Sequence, residues 1–387
     1  MRIHQRFQRG ATALGFGLAL AWLAGCAGEV PKPADPDGNG QPQTSSSSGQ
    51  SGESKAPAGA RRILLLTNGI SPFWDACRVG VVDAQRELQL GDANLHAELV
   101  PNDGKIDGQL AKLRQWATQS DIAGIGISAV VADNAALADE LRKLQQQGVK
   151  IVTIDSDMDR EQYRDVRFAF IGTDNFAAGH ELGLCMKQLR PEGGEYVTFV
   201  GKTGAQNAIE RVQGVAEGAG EKFTSKDNMG DEIQIAQAQQ NVRTALTNHP
   251  NLNVLVGIWS YNGPAIVDVV REKGIRDQVT VVTFDAEPNA IAYMGQGDID
   301  AMVVQNPYQM GYQGVRLLKA LVEDDQATVR VMFPNHGQEN GDIYDTGQKV
   351  VVPEGSPLRQ EMFSGATEFM PLPEFQEWLQ DYDLTGS

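Results

Sequence analysis

The sequence predicts an α/β fold of two doubly wound parallel-sheet lobes joined by hinge strands. From Arg62 onward, short β-branched apolar runs alternate with amphipathic stretches of helical period, the pattern of parallel sheets covered by helices. After about residue 172 this alternation restarts as a second, similar half. With 387 residues in the chain, more than 300 lie beyond Arg61, enough for two compact lobes each with its own core.

The segments ahead of the lobes read differently. Arg2, Arg6 and Arg9 stand in the first nine residues without an acid, and Ala11 to Leu23 is almost wholly small or apolar, so residues 1–25 are predicted to be a signal peptide. The run is short for a bilayer core of about 30 Å and polar chain follows at once, which argues against a transmembrane helix. It ends at Leu23-Ala24-Gly25-Cys26, which resembles the lipobox of bacterial lipoproteins and implies lipidation of Cys26. Residues 26–61 are rich in Pro, Gly, Ser and Gln, with Ser45 to Ser48 in a row, and are expected to form a flexible linker.

Strands of the first half are predicted at Ile63 to Thr67, His96 to Val100, Ile122 to Ser128 and Ile151 to Asp155, with helices centred near Gly80, Leu113 and Leu141. After Phe168 to Gly172 come a helix from Asn175 to Leu189 and strands at Tyr196 to Val200, Val254 to Ile258 and Val279 to Asp285. A strand at Ile299 to Gln305, a helix from Tyr308 to Val322 and a strand at Lys349 to Val352 complete the pattern. One lobe is thus expected from residues 62–172 and 306–334, the other from 173–305 and 345–365, and residues 366–387 are expected to be a C-terminal tail. Hinge crossings are expected near Thr173, near Asn306 and in the irregular stretch 334–344.

Composition excludes several function classes. The net charge of −17 repels phosphate backbones, and no helix-turn-helix precedes the lobes, so no nucleic-acid partner is expected. With Cys26 lipidated, Cys77 and Cys185 remain, each on the apolar side of a predicted helix, and they read as buried free thiols. Gly201-Lys202-Thr203 imitates the end of a phosphate-binding loop, but Tyr196 stands where that loop needs glycine. The five histidines are scattered without a zinc-binding pair, and neither a nucleophile elbow nor a redox cysteine pair occurs. No cofactor, metal or catalytic residue is expected.

Ligands of open parallel sheets sit beyond the carboxyl ends of the strands. The polar residues there are Asn68, Ser71, Ser128, Asp155, Ser156, Asp285 and Gln305, and carboxylates and amides of this kind suit a hydroxyl-rich ligand. Phe73, Trp74 and Trp259 stand at strand-to-helix turns among them, where an aromatic face suits the C–H face of a sugar ring. Plainer roles compete: one of Phe73 and Trp74 as a core residue, Asp155 and Asp285 as helix N-caps, Trp259 as lobe packing.

Taken in order, Ser71-Pro72-Phe73-Trp74, Thr153-Ile154-Asp155, Ile171-Gly172-Thr173-Asp174-Asn175, Ala208 with Arg211 and Gly214, Phe284-Asp285 and Val304-Gln305 make the chain similar to the ribose- and galactose-type periplasmic sugar-binding proteins, solute receptors of ABC transporters with the type I fold. The resemblance runs from about Arg62 to about Val352 and implies that Phe73, Trp74, Asp155, Arg211, Asp285 and Gln305 contact the ligand. It implies a monomeric, non-enzymatic protein on the outer side of a membrane, anchored by its N-terminal lipid, that hands a monosaccharide to ABC permease subunits. A sugar-sensing receptor for a membrane signalling protein, and a glycoside hydrolase using Asp155 and Asp285, are the alternatives. The sequence departs from ribose binders at Ser71, Ser156 and Trp259, where those proteins carry Asn, Arg and Asn. Trading a fork-shaped donor for a flat ring changes which hydroxyls are satisfied.

Overall fold

In the computed structural model the structure describes Pro57 and residues 59–387. The signal peptide, Cys26 and most of the linker lie outside the described residues.

The first lobe is built from β1 (Arg61–Leu66), α1 (Phe73–Glu87), β2 (Leu95–Val100), α2 (Ile106–Trp116), β3 (Ile122–Ile127), α3 (Ala135–Gln146), β4 (Lys150–Ile154) and β5 (Phe170–Gly172). The second follows with α4 (Asn175–Leu189), β6 (Gly194–Val200), α5 (Gln206–Ala219), β7 (Phe223–Gly230), α6 (Ile235–Asn248), β8 (Leu252–Gly257), α7 (Asn262–Lys273), β9 (Thr280–Phe284), α8 (Pro288–Gly295) and β10 (Ala301–Val304). The chain returns to the first lobe as α9 (Pro307–Val322), α10 (Gln326–Met332) and β11 (Ile343–Asp345), then ends in the second as β12 (Lys349–Val352), β13 (Glu368–Pro371) and α11 (Leu372–Asp381).

The two sheets share one winding order. The first runs β11-β5-β4-β3-β1-β2 and the second β13-β12-β10-β9-β8-β6-β7, so β4 and β9 occupy equivalent places. All neighbours are parallel except the antiparallel pair of β10 with β12. Central strands such as Ile125 to Ile127 and Val281 to Phe284 are buried on both faces, as a helix-covered parallel sheet requires. Cys77 and Cys185 are free and buried.

Glycine lets the helices beside the cleft approach closely. In α4 and α5 the pairs Gly179 and Gly183, Gly214 and Gly218 meet backbone: a Cβ on Gly214 would lie 2.2 Å from the Phe176 carbonyl oxygen, and one on Gly183 would lie 2.4 Å from that of Val215. The contact brings Asn175 at the head of α4 within reach of Arg211 in α5.

Two expectations need correction, and one strand was not expected. Residues 366–387 are not a tail: β13 extends the second sheet beside β12, and Leu372, Phe375 and Leu379 of α11 are buried against that lobe, an amphipathic pattern following a strand too short to stand out. The third crossing is not residues 334–344. There β11 pairs with β5 in the first sheet, and the crossing falls at Thr346 to Gln348. The preceding stretch is pinned by Asp342, whose carboxylate accepts from the buried Arg167 guanidinium, which also holds Asp157 at 2.6 and 2.8 Å. Finally, β7 was missed, because its residues are mostly polar and exposed at the sheet edge.

Candidate ligand-binding site

Beyond the carboxyl ends of β1, β4, β9 and β10 lies a cavity between the lobes. Of the eleven residues singled out from the sequence, nine line it: Asn68, Ser71, Phe73, Trp74, Asp155, Arg211, Trp259, Asp285 and Gln305. Neither aspartate is a helix cap. Glu287 occupies the N-cap position of α8, no helix follows β4 directly, and both aspartates sit in the left-handed region, Asp155 at φ 59° and Asp285 at φ 62°. Equivalent strands thus end in the same uncommon turn, which turns each carboxylate from the strand end to the cavity wall.

The first-lobe carboxylate is held by three donors. Ser128 Oγ donates to Asp155 at 2.8 Å, Asn68 Nδ2 at 3.2 Å and, from α5 across the cleft, Asn207 Nδ2 at 3.5 Å. Trp259 Nε1 in turn donates to Asn207 Oδ1 at 3.3 Å, and its ring lies where a side chain on Gly201 would otherwise stand. Trp259 therefore packs within the second lobe and lines the cavity at once. In the second lobe, Gln305 Nε2 donates to both oxygens of Asp285, at 3.0 and 3.2 Å.

Between the carboxylates lies Arg211, 1% exposed. Its Nε donates to Asn175 Oδ1 and its Nη1 to the Ile258 carbonyl, both at 3.0 Å, while Nη1 stands 4.0 Å from Asp285 Oδ2. Its guanidinium carbon lies 4.3 Å from the centre of the Phe284 ring. Arg211 Nη2 and Gln305 Oε1 are buried without a hydrogen-bond partner among the described residues. In a folded protein such atoms on cavity-lining residues call for an explanation.

Burial dominates the electrostatics. It pushes Asp285 up to about 6 against the pull of Arg211 and Gln305, raises Asp155 in the same direction, and lowers Arg211 despite both carboxylates. On the apolar side Phe73 and Trp74 meet edge to face, ring centres 5.1 Å apart. Both line the cavity and both belong to the first-lobe core, so the choice between core and lining does not arise.

Sequence reasoning missed Asn207, Ile233, Ser260 and Tyr261, which also line the cavity. None ends an apolar strand. Asn207 had one available signal, its place a helical turn before Arg211. Ser128 supports Asp155 without lining the cavity, and Ser156, buried, does not line it either.

Further contacts cross the cleft. Arg160 donates to Asp157 in its own lobe at 2.9 Å and to Glu210 of α5 at 3.0 Å, and the Ala132 amide donates to the Gly204 carbonyl at 3.2 Å. The lobes are in contact around the cavity.

Two wound sheets with a cavity between their strand ends agree with the family comparison, in which a periplasmic binding protein domain matches residues 63–326. The chain belongs to the periplasmic binding protein family. Among curated relatives of this binding protein, the D-allose-binding periplasmic protein of Escherichia coli (strain K12) is 24% identical over 67% of this chain and 84% of its own. The ribose import binding protein of the same organism is 22% identical over 70% and 87%. Among solved structures, an ABC transporter solute-binding protein from Burkholderia graminis C4D1M in complex with D-arabinose superposes with a TM-score of 0.66 at 25% identity, covering 77% of this chain and 96% of that one. A glucose-galactose binding protein from Geobacillus stearothermophilus gives 0.65 at 23%, covering 77% and 99%. Among the described residues no helix is long and apolar enough to cross a membrane, and no cluster of three metal-ligating side chains occurs.

Proposed function

We propose that this binding protein captures one monosaccharide between its closing lobes for an ABC-type importer, and that a lipid on Cys26 tethers it to a membrane. One observation carries the reading. Two buried carboxylates at equivalent strand ends, Asp155 and Asp285, flank a buried guanidinium beside an aromatic wall. Carboxylates accept from sugar hydroxyls, Arg211 donates to ring or hydroxyl oxygens, and Phe73 and Trp74 cover the C–H face.

The family match supports a location outside the cytoplasm, and relatives named as binding and import proteins support a binder over a catalyst. A thermal-shift screen of D-allose, D-ribose, D-arabinose, D-galactose, D-glucose and D-fucose tests the proposal. A bound sugar at about 100 times its dissociation constant adds about 2.7 kcal/mol of stability, a rise of several degrees. No shift with any of them counts against a monosaccharide ligand.

A further inference from the structure

Ile233 stands in a backbone conformation that its side chain disfavours. It is β-branched, yet its φ is 61°, and Glu232 before it is also left-handed at 56°. A lone asparagine or glycine enters this region readily, but a β-branched residue there is an outlier whose surroundings must hold it in place.

The surroundings do so from the second lobe. Asp231 is buried and accepts from the Tyr261 hydroxyl, from Asn262 Nδ2 at 2.8 Å and from the Ile233 amide at 2.9 Å. The amides of Asp231 and Glu232 donate to the carbonyls of Val200 and Gly201 at 3.0 and 2.9 Å, and Glu232 pairs with Lys202. The turn between β7 and α6 is thereby locked, with Ile233 projecting from it.

What it projects into belongs to the other lobe. A Cβ on Gly104 would lie 2.6 Å from Ile233 Cδ1, and one on Gly69 would lie 3.6 Å from the same atom. Gly104 follows β2 and Gly69 follows β1, so two glycines at first-lobe strand ends leave a notch that the isoleucine fills, and Ile233 also lines the ligand cavity. An apolar side chain at the edge of its own lobe's Ala238–Tyr261–Ala265 cluster is thus held in an unfavourable backbone conformation to meet a notch across the cleft.

We infer that Ile233 is a latch: the locked turn presents it across the cleft into the Gly69–Gly104 notch, where it holds the lobes together over bound ligand and slows ligand release. This rests on the monosaccharide reading above.

The test uses the full chain with Ile233→Gly, which relieves the backbone, and Ile233→Asn, which tolerates a positive φ but offers the notch an amide. Two quantities are measured: the melting temperature without sugar, and the dissociation rate by stopped-flow tryptophan fluorescence. The probe is whichever sugar of the six-member panel binds the wild type. The latch predicts that both variants melt close to wild type without sugar, yet release it about tenfold faster, as loss of a half-buried isoleucine contact implies. A melting temperature lowered by several degrees in both variants makes Ile233 an ordinary packing residue and overturns the latch. So does an unchanged dissociation rate. A wild type that binds none of the six defeats the sugar reading together with the latch, whereas failure of the latch alone leaves wild-type binding intact.

Discussion

Asp285 combines burial, a left-handed backbone and a carboxyl raised from 3.8 to about 6. The sign of its effect on stability follows. Between those values the folded state keeps a proton that the unfolded chain has lost, so its contribution to stability is full below about pH 4 and is lost as pH rises through about 6. Asp285→Asn removes that ionisation. Without ligand the variant is expected to melt above wild type at pH 7.5, with the difference closing toward pH 5, as differential scanning calorimetry would record. Sugar binding runs the other way, because the ionised carboxylate is the acceptor, and wild-type affinity should fall as pH drops below about 6. The same residue shows why the site was legible in the sequence: Asp155, Asp285 and Gln305 each follow an apolar strand, where an isolated polar side chain stands out. Asn207, marked only by its place a helical turn before Arg211, and Ile233 were hardly legible. One lies inside a helix among ordinary polar neighbours, and the importance of the other lies in a backbone angle and in two distant glycines.

At the scale of elements, the cleft is set by how closely helices approach. The glycines of α4 and α5 bring Asn175 to Arg211, so a side chain at Gly214 should harm both packing and site. Gly214→Ala places a methyl 2.2 Å from a carbonyl oxygen. It is expected to cost about 1–3 kcal/mol, a fall of several degrees in melting temperature, and to weaken sugar binding by displacing Arg211. Circular dichroism melts and a binding isotherm on the same variant check this, and unchanged affinity in a folded variant would separate the helix contact from the site. Strong apolar strands and long amphipathic helices such as Tyr308 to Val322 were readable, because their pattern repeats over several turns. β7, exposed at an edge, and β13, four residues long, were not. Their pairing comes from neighbours distant in sequence.

The molecule as a whole joins two equivalent sheets by three crossings, and both lobes line the cavity, with Asp155 and Asp285 at equivalent strand ends. If the lobes open and close about those crossings, small-angle scattering should give a smaller radius of gyration with bound sugar than without it, and an unchanged radius would indicate a rigid pocket. The N-terminal segment makes a separate prediction. Cys26→Ser should move the protein from the membrane fraction to the soluble fraction, and retained membrane association would argue against a lipid on that residue. The doubly wound repeat was legible because two halves of one chain carry the same alternation. The third crossing was not, since β11 is three residues long and owes its place to pairing with β5.

Isothermal titration calorimetry of wild type and Asp285→Ala, with the sugar that gives the largest thermal shift, tests the central claim most directly. The account predicts saturable wild-type binding of one sugar per chain and a tenfold to hundredfold loss in the variant, the about 1.5–3 kcal/mol of a hydrogen bond to a charged acceptor. Absence of saturable heat in the wild type, or an Asp285→Ala protein that binds as tightly as wild type, would contradict it.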